Sequence, residues 1–276
     1  MRKLLKYFFL VTWLPVIGVA ALLSWGFPGP RDLAAGAGRM ILSLGDDSYL
    51  TWSEVESTTG AVVKRELGES PLAAFSLVIL SNASYGSLPE AVRDGLADYL
   101  ARGGAVLVTG GKQSYGSGGY AGTALADLLP LKPRRDDFGY NPYGPTLLLQ
   151  PRHPILQGVA LPPMGYFNDL ELNSGAVEIA QYRKGSKAAF AGGGDPGGRE
   201  IAGGGRRTMP LIAEKSVGQG TILAIALDMA LPLDKDVWKD RDRFARNCIE
   251  YLLQRSGIQP RGVSEHDRGV IICCVT

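Results

Sequence analysis

The stretch Phe75-Ser76-Leu77-Val78-Ile79-Leu80 is apolar at nearly every position, and so is Ala105-Val106-Leu107-Val108 further on. Strands apolar at consecutive rather than alternate positions belong to a parallel sheet covered on both faces. Between them lies a helix over residues 88–102. Ser87-Leu88-Pro89-Glu90 has the spacing of a capping box, Val92, Leu96, Tyr99 and Leu100 fall on one helical face, and Gly103-Gly104 ends the pattern. Strand, helix and strand in this order are joined by a right-handed crossover, so the chain is restricted to an α/β architecture.

The rest of the sequence extends this unit in both directions. Residues 40–44 form a short apolar run that ends in Gly45-Asp46-Asp47, and residues 61–67 make a further strand. After Gly122 a short helix carries Leu125, Leu128 and Leu129. Residues 132–176 are rich in Pro and Gly and are expected to be irregular apart from 146–149. Residues 177–182 and 187–190 pattern as a hairpin, and a glycine-rich loop spans 192–207. Residues 210–215 and 221–227 pattern as two strands joined at Val217-Gly218-Gln219-Gly220. A last amphipathic helix over 236–255 places Val237, Phe244, Cys248 and Leu252 on one face. No repeat and no domain boundary interrupts residues 39–257.

The N-terminus has a different character. Met1-Arg2-Lys3-Leu4-Leu5-Lys6 is basic, and residues 7–27 carry no charge. That length of apolar chain spans a bilayer as a helix, and Tyr7 and Trp25 stand near its ends, where aromatic rings favour the interface. The alternative is a signal peptide cleaved near Ala34-Ala35-Gly36-Ala37. Residues 1–27 are thus expected to be a membrane anchor or signal peptide, 28–38 a linker and 258–276 a tail. Arg2, Lys3 and Lys6 before the span leave the domain on the extracytoplasmic side of a single-pass protein.

Charge excludes one class of partner. With 29 Lys and Arg against 27 Asp and Glu, the chain has no concentrated basic face for nucleic acid. Three cysteines are too few and too unevenly placed for a disulfide framework; Cys248 belongs to a packed helix face.

Three stretches carry a family resemblance. They are residues 99–111 (Tyr-Leu-Ala-Arg-Gly-Gly-Ala-Val-Leu-Val-Thr-Gly-Gly) continuing through Ser114-Tyr115-Gly116-Ser117-Gly118-Gly119-Tyr120 to Leu128-Leu129-Pro130, then His153-Pro154-Ile155-Leu156-Gln157-Gly158-Val159, and lastly Pro210-Leu211-Ile212 with residues 218–224. Together they resemble the glutamine-amidotransferase-like and trehalose-utilisation-like families of the class I amidotransferase-like superfamily, over residues 39–257. The resemblance implies a flavodoxin-like fold, a mainly parallel sheet with helices on both faces, and a site at the carboxyl ends of the strands. It also implies, in catalytic members, a cysteine on the turn after a central strand, with a histidine and a carboxylate supplied later. Here the matching turn is Thr109-Gly110-Gly111, and the place expected for the histidine is Asp228-Met229-Ala230. Neither nucleophile nor base stands where glutaminase chemistry needs it.

Other chemistries fit less well. Ser114 lacks the first glycine of a Gly-x-Ser-x-Gly elbow, because residue 112 is lysine, and His153 is the sole histidine within the domain. Gly116-Ser117-Gly118-Gly119 matches a phosphate cradle only loosely, since residue 121 is alanine. The acid pairs Asp46/Asp47, Asp136/Asp137 and Asp169/Glu171 lack the regular spacing of a calcium loop. Cys273-Cys274-Val275-Thr276 has the form of a prenylation box, which leaves Cys273 and Cys274 as lipidation candidates. No catalytic residue, metal or cofactor is expected. Thr109, Gly110, Gly111, Ser114, Tyr115 and Asp228 are the ligand-binding candidates. The expected role is a membrane-held domain that binds a protein partner or a ligand, with a hydrolase or amidotransferase-like enzyme rearranged around Ser114 as the alternative.

Overall fold

Successive apolar residues in the central strands dictate a sheet with two covered faces. In a computed structural model, which describes residues 38–134, 137–141, 146–162, 165–183, 208–231 and 238–258, that is the arrangement found. The parallel part consists of β1 (Met40–Gly45), β2 (Val62–Lys64), β3 (Leu77–Ser81), β4 (Ala105–Gly110) and, much later in the chain, β12 (Gly220–Asp228). Their spatial order is β2-β1-β3-β4-β12, and each neighbouring pair is parallel. This is the 2-1-3-4-5 order of a flavodoxin-like doubly wound sheet, whose direction of winding reverses between β1 and β3. Every residue of β3, β4 and β12 is buried. Fully burying one aliphatic side chain of such a strand contributes about 1.5–3 kcal/mol.

Four helices accompany the sheet among the described residues: α1 (Trp52–Thr59), α2 (Glu90–Ala101), α3 (Ala124–Leu128) and α4 (Arg241–Arg255). In α2 the buried residues are Val92, Leu96, Tyr99 and Leu100, the stripe that the sequence marks. Tyr99 also ties the helix to the next strand, since its hydroxyl donates to Ala105 O at 3.1 Å and accepts from Ala105 N at 3.2 Å. The capping box does not form. Pro89 takes an extended conformation and becomes the N-cap, while the Ser87 hydroxyl donates to Ser84 O at 2.8 Å in a 3-10 turn upstream. α4 begins at Arg241 rather than 236, and it buries Phe244, Cys248 and Leu252.

β12 also forms the hairpin with β11 (Thr208–Val217), turning at Gly218. β10 (Val177–Arg183) follows antiparallel to β11, and β7 (Thr146–Leu148) antiparallel to β10 at the edge. The hairpin expected between 177–182 and 187–190 is thus replaced, for its first strand, by pairing with β11 and β7; residues 187–190 lie outside the described part. The stretch 132–176 is more regular than its composition suggests. β6 (Phe138–Asn141) pairs with β8 (Gly165–Asn168), and β8 reaches β12 at Leu227–Phe167. β5 (Leu131–Lys132) pairs with β9 (Glu171–Leu172).

Residues 7–27, the linker up to residue 37, the loop 192–207, Asp136, His266, Cys273 and Cys274 lie outside the described residues. Among the described residues no helix is long and apolar enough to cross a membrane.

Candidate functional site

Open parallel sheets bind ligands beyond the carboxyl ends of their strands where the winding reverses, so the residues at the ends of β1, β3, β4 and β12 define the candidate site. At the end of β1 the chain bends over β3: Asp46 N donates to Ser81 O at 2.7 Å, and the Ser81 hydroxyl returns a bond to Asp46 O at 2.6 Å. Asp46 is exposed. The Asp47 carboxylate is engaged instead, accepting from Ser43 Oγ at 2.9 Å and Trp52 Nε1 at 3.0 Å, with Arg65 Nε at 3.4 Å. At the end of β3, Asn82 adopts a left-handed conformation (φ 44°) and its Oδ1 accepts from Gln113 N at 2.8 Å.

The turn after β4 is where the resemblance places a nucleophile. Thr109 is buried, and its hydroxyl shares a hydrogen bond of 3.0 Å with that of Ser81. A side chain at Gly110 would begin 2.1 Å from Ala226 O, and one at Gly111, where φ is +143°, would begin 2.2 Å from Asn82 Oδ1. Neither position has room for a cysteine. Ser114 is fully buried and its hydroxyl donates to Thr109 O at 2.6 Å. Tyr115 is fully buried too, held at φ 51° with its hydroxyl donating to Ile225 O at 3.0 Å; burial pushes that hydroxyl's pKa well up.

Asp228 closes the group at the end of β12. It is 3% exposed, and its Oδ1 accepts from Ala230 N at 3.0 Å and Leu231 N at 3.1 Å. Its other oxygen accepts no hydrogen bond from the described residues. Loss of water around the carboxyl pushes its pKa up to about 6; the two backbone bonds oppose the rise, and the charge of Asp46 adds to it. The raised pKa places Asp228 in the range where a carboxyl gains or loses a proton near neutral pH.

Ser114 and His153 are not brought together. His153 is buried against α4, its Nδ1 accepting from Ile155 N at 3.4 Å and its Nε2 standing 3.7 Å from Glu214 Oε2 on β11. The Tyr251 hydroxyl donates to the same Glu214 oxygen at 2.6 Å, and its ring meets the imidazole edge-on at 4.8 Å. The His153 ring is the main reason that the Glu214 carboxyl is held below its ordinary range, with Tyr251 contributing. This cluster fastens the segment before β8 to α4. Cys248 is fully buried on α4, and burial pushes its thiol's pKa up. The acid pairs are used within the fold as well, Asp169 and Glu171 by the Arg134 guanidinium. Among the described residues no three His, Cys, Asp or Glu side chains cluster to hold a metal.

Asn168, which sequence reasoning passed over, and Asp137, which it weighed only as half of an acid pair, organise this edge. Asn168, at the end of β8, is fully buried; its Oδ1 accepts from Gly111 N at 2.9 Å and its Nδ2 donates to Gly111 O at 3.2 Å. The same Nδ2 donates to Asp137 Oδ1 at 2.9 Å.

No protein-family model and no curated protein matches the chain. Solved structures do. A ThuA-like protein from Bacteroides uniformis superposes with a TM-score of 0.55 at 11% identity, covering 85% of this chain and 99% of that one. The chain has the glutamine-amidotransferase-like fold. Two further structures share that fold, both described as cytoplasmic proteins of Salmonella typhimurium. STM1381, of strain LT2, has a TM-score of 0.57 at 18% identity, covering 77% of this chain and 99% of that one. STM3548 has a TM-score of 0.56 at 16% identity, covering 77% and 98%. At these identities the glutamine-amidotransferase-like likeness concerns the path of the chain, and the chemistry has to be argued from the residues at the strand ends.

Proposed function

We propose that this chain is a non-catalytic glutamine-amidotransferase-like domain, held at a membrane by residues 7–27, which serves as a protein-interaction or ligand-binding subunit on the extracytoplasmic side. The observation that carries the non-catalytic part is the crowding of the turn after β4. Backbone at Ala226 and the Asn82 amide occupy the space in which a side chain at Gly110 or Gly111 would project. The nearest alternative nucleophile, the Ser114 hydroxyl, is bonded inward to Thr109 O. A covalent mechanism needs an exposed nucleophile beside a base, and His153 serves the Glu214–Tyr251 cluster instead. The ligand-binding part rests on Asp228, whose second carboxyl oxygen accepts no hydrogen bond from the described residues, and on the exposed Asp46 at the end of β1.

The test has two arms. Full-length protein is expected to resist alkaline extraction from membranes, and recovery in the soluble fraction with an intact N-terminus would remove the anchor from the proposal. Ammonia release from glutamine is expected to stay at the no-protein background. Turnover that disappears in Ser114→Ala or Cys248→Ala would overturn the non-catalytic reading and identify the nucleophile. The alternative, a hydrolase with rearranged residues, has one observation in its favour: a carboxyl at Asp228 able to exchange a proton near pH 6. Such an enzyme would lose its turnover both in Ser114→Ala and in Asp228→Asn.

A further inference from the structure

The glycine loop after β4, a loose match to a phosphate cradle in sequence, is already occupied by an anion of the chain's own. The Asp137 side chain lies in it, and the residue is 2% exposed. Oδ2 accepts from Gly116 N at 2.9 Å and from Arg134 N at 3.2 Å. Oδ1 accepts from Ser117 N at 3.2 Å, Ser117 Oγ at 3.0 Å and Asn168 Nδ2 at 2.9 Å. An aspartate that only shapes a turn bonds to backbone a residue or two away. Of these donors only Arg134 N is local; Gly116 and Ser117 are about 20 residues back and Asn168 is 31 residues ahead. Consecutive backbone N–H groups joined by a hydroxyl and an amide are the donor set with which proteins hold oxyanions. Among the described residues no cationic head group joins them, because the Arg134 guanidinium turns to Asp169 and Glu171.

We propose that Gly116, Ser117, Arg134 N and Asn168 form a carboxylate-binding site whose resident occupant is Asp137, acting as a latch. The latch ties Asp137, the residue before β6, to the glycine loop after β4. Through Asn168, which bonds to both Asp137 and Gly111, it also holds the Gly110–Gly111 turn. In the native chain a tethered carboxylate excludes free ones, because its effective concentration far exceeds theirs. Once the tethered group is removed, the site accepts a small monocarboxylate, formate being the closest in size to what is lost. This inference concerns the chain's internal occupant and stands apart from the proposed role of Asp228.

The experiment is thermal unfolding of full-length Asp137→Ala in detergent, titrated with sodium formate and, at matched ionic strength, with sodium chloride. The variant is expected to melt below the wild type and to regain stability in proportion to the logarithm of formate concentration once the site begins to fill. Chloride is expected to restore nothing, and the wild type to be indifferent to formate. Asp137→Asn supplies the control, because its amide fills the site and turns an N–H₂ toward N–H donors. It is expected to melt below the wild type and to gain nothing from formate. Equal responses to formate and chloride in Asp137→Ala would overturn the proposal, as would formate rescue of Asp137→Asn. An Asp137→Ala protein that stays unfolded at every formate concentration would overturn it too, since a free carboxylate then cannot take the place of the tethered one.

Discussion

Asp137 and Asp228 sit at the same edge of the sheet and are buried to nearly the same degree, at 2% and 3% exposure, but the fold treats them differently. Asp137 receives five hydrogen bonds distributed over both oxygens. Among the described residues Asp228 receives two, both on one oxygen, from the backbone that turns just beyond it. Burial alone therefore does not say what a carboxyl is for. The cost of removing it from water depends on how many donors replace the water. Where replacement is complete, the group behaves as part of the framework. Where it is partial, the residual deficit appears as a raised pKa and an oxygen left for something else to bond.

The largest expected effect comes from Asn168→Ala. The substitution removes the side chain that serves both the latch and the Gly110–Gly111 turn; it leaves Gly111 N without its partner in a buried setting, while Gly111 O keeps only its bond from Ser114 N at 3.1 Å. Losing three buried hydrogen bonds, one of them to a carboxylate, is expected to cost about 3 kcal/mol or more. Urea denaturation with an unchanged slope measures it, and a loss below about 1 kcal/mol would mean that the turn is held by packing alone.

Asp228→Asn is expected to act in the opposite direction. In the folded protein this carboxyl titrates at about 6, against an ordinary 3.8. Between those two pH values the folded state retains a proton that the unfolded chain has released, so stability falls as pH rises through that window. Below about pH 4 both states are protonated and the residue costs nothing by this route; above about pH 6 the full cost is present, on the order of 2–3 kcal/mol. Asparagine removes the ionisation and can still accept from Ala230 N and Leu231 N. The variant should therefore gain stability at pH 8 and little at pH 4. Equal effects at the two pH values would show that Asp228 is as well supplied with donors as Asp137, and the contrast between them would collapse.

How much of this was legible in the sequence follows the range of the interactions. The strands at β3 and β4 and the buried face of α2 are written in neighbouring residues, because continuous apolar runs and a 3.6-residue stripe are local signals. β6 and β8 are four residues each and exist by pairing with one another across the chain, so no local period announces them. The capping box at Ser87 was locally plausible, but Pro89 holds the extended backbone that starts the helix two residues later. The candidate site divides in the same way. Gly110, Gly111 and Asp228 were candidates because the family resemblance places the nucleophile and the base at these strand ends. Asp137 was read only as half of an acid pair and Asn168 was missed, because their partners stand 57, 31 and about 20 residues away and no local pattern reveals them.

Ser114 provides the smallest expected effect and separates a supporting role from a chemical one at the same strand end. Its hydroxyl makes one buried hydrogen bond, to Thr109 O at 2.6 Å, and no base stands beside it, since His153 is held by Ile155, Glu214 and Tyr251. Replacing it by alanine removes one donor and leaves Thr109 O short of a partner, which is expected to cost about 1 kcal/mol. Unlike Asp228→Asn, this change involves no titrating group, so the loss should be the same at pH 4 and pH 8. It should also leave any binding at Asp228 unaltered, because the hydroxyl is bonded inward to Thr109 O. Paired denaturation curves at the two pH values supply the measurement. A loss that grows with pH would couple Ser114 to an ionising neighbour, and the serine would then have to be reconsidered as part of a proton-transfer pair with Asp228.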